Sequence, residues 1–425
     1  MSLWAFRFLL FYIVVLFVAP QVRFAILHTI HLADICIISA VVLHIMSSAR
    51  ENRSFIRFGP ATVLAIILMT MGMLSLHMGP LQSSSAWNGY IDGLMKSALV
   101  VILVEAMAYS IQRVWAVIGT IMISTLWWLK AGFRLGLMGA TFEGGRIMGP
   151  AVNLVSNPNG FAFYLCVVLP VYLYFYSQAK HKVLKWGYIV MVLIGVYSIF
   201  NSGSRTGLLT LLVATVLVFP RYGRRHFIAF SASIVGTILI LGAVDPANLE
   251  RFKTIGPSFR TFIGGGSDID MSQMTPDEYS AFLRSMKNKD GWRLVKDYPA
   301  FGVGISADTS LYERDYPYAT GVIHNEILMA GRQMGFAGMG IYLAFQAMIL
   351  FSGLVVMFRM RKIWPDISSL GWVLSVMAVI FIVGGYFATD PWNPFLLVVA
   401  AAGSSLLMLT RDYRSNARVA SVVHA

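Results

Sequence analysis

Charge is what this sequence has least of. Only 12% of its 425 residues are charged, 57% are hydrophobic, and the mean hydropathy is +0.69. A soluble globular chain carries about twice that share of charge. Long polar stretches are also scarce: apolar runs near 20 residues recur from end to end. Each is long enough to cross the bilayer's hydrocarbon core as a helix. These absences exclude a soluble domain and leave an all-α, polytopic membrane protein. Cysteine is almost missing. Cys36 and Cys166 both fall in apolar runs, which suits small core residues rather than a disulfide or a metal pair. Internal repeats, low-complexity tracts and inter-domain linkers are lacking too, so residues 1–425 read as a single membrane domain. The first run, Leu3 to Ala19, holds one arginine and no small-residue cleavage site. It reads as an uncleaved span rather than a signal peptide.

Twelve apolar segments can be counted, at about 3–19, 27–47, 61–79, 93–110, 114–132, 160–177, 184–200, 206–220, 227–244, 335–357, 370–388 and 394–410. The tenth extends back toward 325. With the N-terminus in the cytoplasm, the inner gaps and the C-terminal tail hold sixteen basic residues (among them Arg50, Arg113, Lys182, Arg225, Arg361 and Arg411) against three acids. That is the bias of cytoplasmic loops, so both termini are placed inside. The same distribution accounts for the net charge of +13 without a nucleic-acid partner. The one large loop, 245–323, lies between the ninth and tenth spans and faces the outer side. Within it, Pro276 to Lys289 has helical spacing, with Tyr279, Phe282, Leu283 and Met286 on one stripe. Gly264, Gly265 and Gly266 read as a flexible turn.

The outer face also collects basic residues that this charge rule does not explain. Arg146 lies in Gly144-Gly145-Arg146-Ile147-Met148-Gly149-Pro150, just ahead of Ser156-Asn157-Pro158-Asn159-Gly160. Arg205 lies in Asn201-Ser202-Gly203-Ser204-Arg205-Thr206-Gly207, a turn too short to leave the membrane surface. Lys130, Arg134, Arg260, Arg284 and Arg293 fall on the same side. An isolated arginine there is commonly a headgroup anchor. Several around one cleft suit a diphosphate, because guanidinium groups grip phosphate oxygens in pairs and keep their charge. His324 stands at the junction of the loop and the tenth span. A helix N-terminus favours neutral imidazole, and a neutral imidazole at a water-facing surface can act as a general base. A lone histidine there can equally mark nothing more than a polar helix start.

Three of these stretches together resemble the O-antigen ligase and polymerase superfamily. They are Gly145 to Pro150 with Asn157-Pro158-Asn159, Asn201 to Gly207, and a third set in the late loop. That set is Trp292-Arg293, Tyr298-Pro299-Ala300-Phe301-Gly302-Val303-Gly304, His324-Asn325-Glu326-Ile327-Leu328 and Gly335-Phe336-Ala337-Gly338. The resemblance covers about residues 140 to 350. It implies a metal-independent, GT-C-type glycosyltransferase of the bacterial inner membrane with its active site on the periplasmic side and no cofactor. The donor would be a glycan on undecaprenyl diphosphate, and the favoured acceptor a hydroxyl of lipid A–core. A sugar polymerase and a protein O-oligosaccharyltransferase remain as alternatives. In this reading Arg146, Arg205, Arg260, Arg284 and Arg293 bind the diphosphate and His324 takes the acceptor proton. Attack opposite the leaving group inverts the anomeric carbon.

Asn325 and Asp390 are candidates for positioning the acceptor or orienting His324. Asp268-Ile269-Asp270 has the form of a metal-binding pair in nucleotide-sugar enzymes, but after three glycines it reads as a solvated turn. A transporter of lipid-linked saccharide is the competing class, because Glu105, Arg332, and Asp34 with His28 and His31 fall near or within spans. Intramembrane ionisable groups commonly mark a transport path. Glu105 and Arg332 can alternatively form a buried ion pair.

Overall fold

A computed structural model describes residues 2–81, 83–139, 145–150, 154–217, 231, 274–307, 310 and 313–423. Apart from Ser231, the expected ninth span at 227–244 lies outside the described residues, as do Arg260, Gly264 to Gly266 and Asp268 to Asp270. Among the described residues, eight helices are long and apolar enough to cross a membrane. They are α2 (Leu32–Arg50), α3 (Pro60–Met78), α5 (Ile111–Leu137), α6 (Pro158–Gln178), α7 (Lys182–Asn201), α10 (Glu326–Met360), α11 (Pro365–Gly385) and α12 (Pro394–Val423). Shorter apolar helices are α1 (Ser2–Val18), α4 (Lys96–Met107) and α8 (Arg205–Leu217). Eleven of the twelve expected segments are therefore helical. The fourth differs in form: it begins inside a π-helix, Gly89–Met95, that starts in the expected gap before residue 93 and runs directly into α4.

A continuous apolar core runs from Ala5 in α1 to Leu406 in α12. Helices α6, α11 and α12 supply its most enclosed members, including Phe163, Phe381 and Phe395. Side chains at the bundle's rim, such as Ile38, Val183 and Phe351, stay exposed. That is the expected surface of a helix facing lipid rather than water.

Glu105 is completely buried, and its role is local. Its Oε2 accepts from Thr62 N at 2.7 Å and its Oε1 from Ala61 N at 3.3 Å, while Ser404 Oγ bonds to the same carboxyl. The carboxyl thereby caps the first turn of α3, whose leading N–H groups have no partner within their own helix. It also ties α3, α4 and α12 together. Arg332 is elsewhere, donating from Nη1 to Gly321 O at 2.6 Å. The expected alternative of a Glu105–Arg332 ion pair is therefore corrected: each group is engaged by backbone of a different segment.

Helix α10 is broken eight residues in. Met334 and Gly335 leave helical geometry, Gly335 at φ 62°. The break frees carbonyls of the preceding turn, and a loop fills the gap. Val303 N donates to Arg332 O at 2.8 Å, Ser75 Oγ to Gln333 O at 2.5 Å, and Phe336 N to Pro299 O at 2.9 Å. Glycine is required where backbone meets backbone. A Cβ on Gly335 would lie 2.2 Å from Pro299 O, and one on Gly302 would lie 2.4 Å from Arg332 O. The stretch Tyr298 to Gly304 thus stitches the loop before α10 into the helical bundle.

That loop also carries α9 (Pro276–Asp297), started by a capping box between Thr275 and Glu278. The helix runs eight residues beyond the expected end at Lys289 and packs on α10. Its buried residues are Ala281, Phe282, Ser285, Asp290, Gly291, Leu294 and Val295, whereas Tyr279 is exposed. The buried stripe is rotated from the expected one: Phe282 is common to both, while Leu283 and Met286 are only partly buried where α9 packs on α10.

Candidate functional site

The site is assembled from three stretches that one end of the bundle brings together. The first is the start of α6. Asn157 caps it by accepting from Gly160 N at 2.8 Å, with Pro158 in the first turn, where its missing N–H costs nothing. Asn159 then faces the Asn201–Gly207 turn. Its Oδ1 accepts from Arg146 Nη2 at 2.8 Å and from Ser204 Oγ at 3.0 Å. Arg146 Nε donates to Ser202 O at 2.8 Å, and Ile147 N donates to Asn201 O at 3.0 Å. Ser204 Oγ also accepts from Gly207 N, capping α8. Arg146 therefore braces the turn that presents Arg205, which is half-buried beside Thr206.

The second stretch leads into α10. Asn325 is buried, and its Oδ1 accepts from Ile327 N at 3.1 Å and Leu328 N at 3.2 Å. That cap fixes the backbone next to His324, which leaves Asn325 as a positioning group. Around this entry stand three cations. Lys287 Nζ donates to Val322 O at 3.1 Å, Arg332 reaches Gly321 O, and Arg284 lies close enough to act electrostatically on both Lys287 and His324. Burial first, and then the positive charges of Arg284 and Lys287, push the His324 imidazole down to about 4. The Lys287 ammonium is lowered too, by burial and then by Arg284 and Arg332.

The third stretch is the α11–α12 connection. Asp390 opens onto a cavity of about 300 Å³ whose walls include Asn157, Asn159, Thr206, His324 and Thr389. Asp390 is itself exposed at this recess, and the residues that follow it, Pro391, Trp392 and Asn393, are buried. Desolvation by the protein around it pushes the carboxyl up to about 6, against a smaller downward pull from the Trp392 backbone N–H. Beneath it, Glu326 is wholly buried and accepts from Tyr342 Oη, which in turn accepts from Gln346 Nε2 at 2.6 Å. Glu326 Oε1 has no hydrogen-bond partner among the described residues.

Of the candidates read from sequence, His324 and Asp390 line this cavity. Arg146 bonds the wall residue Asn159, Arg205 precedes the wall residue Thr206 in the chain, and Arg284 acts electrostatically on His324. Arg293 is placed differently: it pairs with Asp290 at 3.3 Å and lies 5.5 Å over the Tyr316 ring. Lys287 was not named from the sequence, and Asn159 and Glu326 stood there only as members of motifs, with no role of their own. Lys287 follows Arg284 at helical spacing, and Glu326 is an acid opening an apolar run; both were available signals.

A family model described as O-antigen ligase matches residues 189–343. That match supports assignment to the O-antigen ligase family. It takes in the Arg205 turn, α9, His324 and the break in α10. Arg146 and Asp390 lie outside the matched residues, and the hydrogen bonds and the cavity described above join them to that stretch. Members of the O-antigen ligase family are membrane glycosyltransferases that act as ligases or polymerases. No curated protein matches the chain at a significant level.

Proposed function

We propose that the protein transfers a glycan from undecaprenyl diphosphate to a hydroxyl of lipid A–core at the periplasmic face of the inner membrane. The observation that carries this reading is one cavity walled by a carboxyl and an imidazole and flanked on two sides by cations. Arg146 and Arg205 stand on the α6–α8 side; Arg284, Lys287 and Arg332 stand on the α9–α10 side. A glycosyl diphosphate needs that environment. As the acceptor oxygen bonds to the anomeric carbon, the carbon–oxygen bond to phosphate breaks and its electron pair leaves on the diphosphate. Fixed cations in a poorly hydrated recess stabilise that growing charge without reorganising.

The acceptor proton must go to a base, and general-base catalysis is strongest when the base's pKa lies near the working pH. His324 and Asp390 both border the cavity. With its imidazole pushed down to about 4, His324 stays neutral but binds protons weakly. Asp390, at about 6, is ionised at neutral pH and is the stronger base. We therefore assign proton removal to Asp390 and give His324 a hydrogen bond that orients the acceptor hydroxyl. Attack from the face opposite the diphosphate inverts the anomeric configuration.

The transporter reading loses its main support, since Glu105 caps a helix and Arg332 holds a loop carbonyl. The test is lipopolysaccharide from a gene-deletion strain, run on a gel beside its lipid-linked glycans. Core-only lipopolysaccharide with long glycan left on the lipid carrier is expected. Lipopolysaccharide bearing a single repeat unit would reassign the protein as the polymerase, and an unchanged ladder would refute both.

A further inference from the structure

A second cavity, of about 370 Å³, adjoins the first. Its walls come from different elements: Tyr12 and Leu16 of α1, Asp92, Gly93 and Ser97 of the π-helix and α4, Ser306 of the loop, Gln333 of α10, and Trp392. The two cavities share two wall residues, Leu154 and Asp390. Asp390 is thus reachable from both sides.

The second cavity differs in charge from the first. Its single lysine, Lys96, is already held by Asp34 at 2.6 Å and Asp92 at 2.8 Å. With Asp390 added, the surroundings are acidic overall, which disfavours a second diphosphate. Hydroxyl, amide and carboxylate groups alternate with apolar ones along the walls, and Trp392 Nε1 donates to Gln333 Oε1 at 2.6 Å, holding that amide in place. Such a mixed lining recognises a neutral, hydroxyl-rich ligand through fixed polar groups on an apolar bed. The π-helix adds an independent sign, because i→i+5 turns are rare and recur at functional sites. Gly89 packs its backbone against Ser306, whereas a Cβ on Gly93 would meet nothing within 4 Å. The open side of the π-turn therefore faces the cavity.

We propose that this second cavity binds the acceptor saccharide, so that its hydroxyl meets the donor across Asp390. The inference rests on the transfer reaction proposed above. Two substrates that react at one atom need two approaches to it, and Asp390 is the ionisable group common to both.

The test is equilibrium binding of each lipid, separately, to detergent-solubilised full-length protein. The probes are undecaprenyl diphosphate-linked glycan and lipid A–core, against wild type, Gly93→Phe and Asp92→Ala. Gly93→Phe fills the cavity from a position with free space; Asp92 is two-thirds exposed, so its loss leaves the fold intact should the larger change not. The expected result is lipid A–core binding weakened by roughly tenfold or more in Gly93→Phe, and weakened in Asp92→Ala, with donor binding within about twofold of wild type. Unchanged lipid A–core binding in either folded variant overturns the proposal. So does a loss confined to the donor, which would make this the donor's cavity. If wild type binds neither lipid, the transfer reading itself fails, and this inference with it.

Discussion

Lowering the pH should silence the enzyme near 6, and the group responsible should be Asp390. Its carboxyl is pushed up to about 6 by desolvation, whereas His324 is held down to about 4. At pH 5 a base of the first kind is only about a tenth ionised, while one of the second kind remains about nine-tenths free. Initial rates of transfer between purified donor and lipid A–core, at saturating concentrations, should therefore fall about tenfold between pH 7 and pH 5. Asp390→Asn should lower the turnover number by about 10²–10⁴-fold, abolish that acid limb and leave donor binding intact. An acid limb near 4, lost in His324→Ala, would return the base role to His324. Near-normal turnover in Asp390→Asn would refute the reasoning outright.

Other consequences follow from individual contacts. Arg146→Lys can keep only one of the bonds to Ser202 O and Asn159 Oδ1, so thermal unfolding should report a loss of about 1–2 kcal/mol together with weaker donor binding. Gly335→Ala should destabilise the protein by about 2 kcal/mol or more, because it forces a side chain to positive φ and against Pro299 O; a normal melting midpoint would argue against the break in α10. Glu105→Ala should cost about 2–3 kcal/mol in stability by uncapping α3, without moving the pH dependence of turnover. The two titrating groups act on stability with opposite signs. The depressed His324 makes the fold less stable as pH falls from about 6.5 toward about 4, while the raised Asp390 makes it less stable as pH rises from 3.8 toward about 6. His324→Gln should unmask the second slope in pH-dependent unfolding.

Much of the fold was legible because hydrophobic runs of membrane length carry their own signal. The fourth span was legible only in part: its expected start at 93 falls inside the π-helix Gly89–Met95, and nothing in that stretch's composition marks an i→i+5 turn. The break in α10 was half visible: Gly335 stood in a recognised motif, but the need for glycine arises from Pro299 and Ala300, thirty-odd residues earlier in sequence. At the site, arginines near hydrocarbon were conspicuous because they are costly. What each one touches was not. Arg146 proved to brace Asn159 and Ser202, and Arg293 to rest on Asp290 and Tyr316. Asp390 drew little weight in sequence because a carboxylate before Pro391-Trp392 looks like a turn residue. Its place between two cavities depends on α1, α6 and the π-helix meeting there. The lowered basicity of His324 likewise comes from burial and from α9, whose approach no local pattern announces.

The most direct measurement of the central claim is transfer by the purified protein in proteoliposomes supplied with undecaprenyl diphosphate-linked glycan and lipid A–core. The account predicts glycan on lipid A–core with matching release of undecaprenyl diphosphate, both lost together in Asp390→Asn. Donor that remains intact, or that crosses the membrane without reacting, would contradict it.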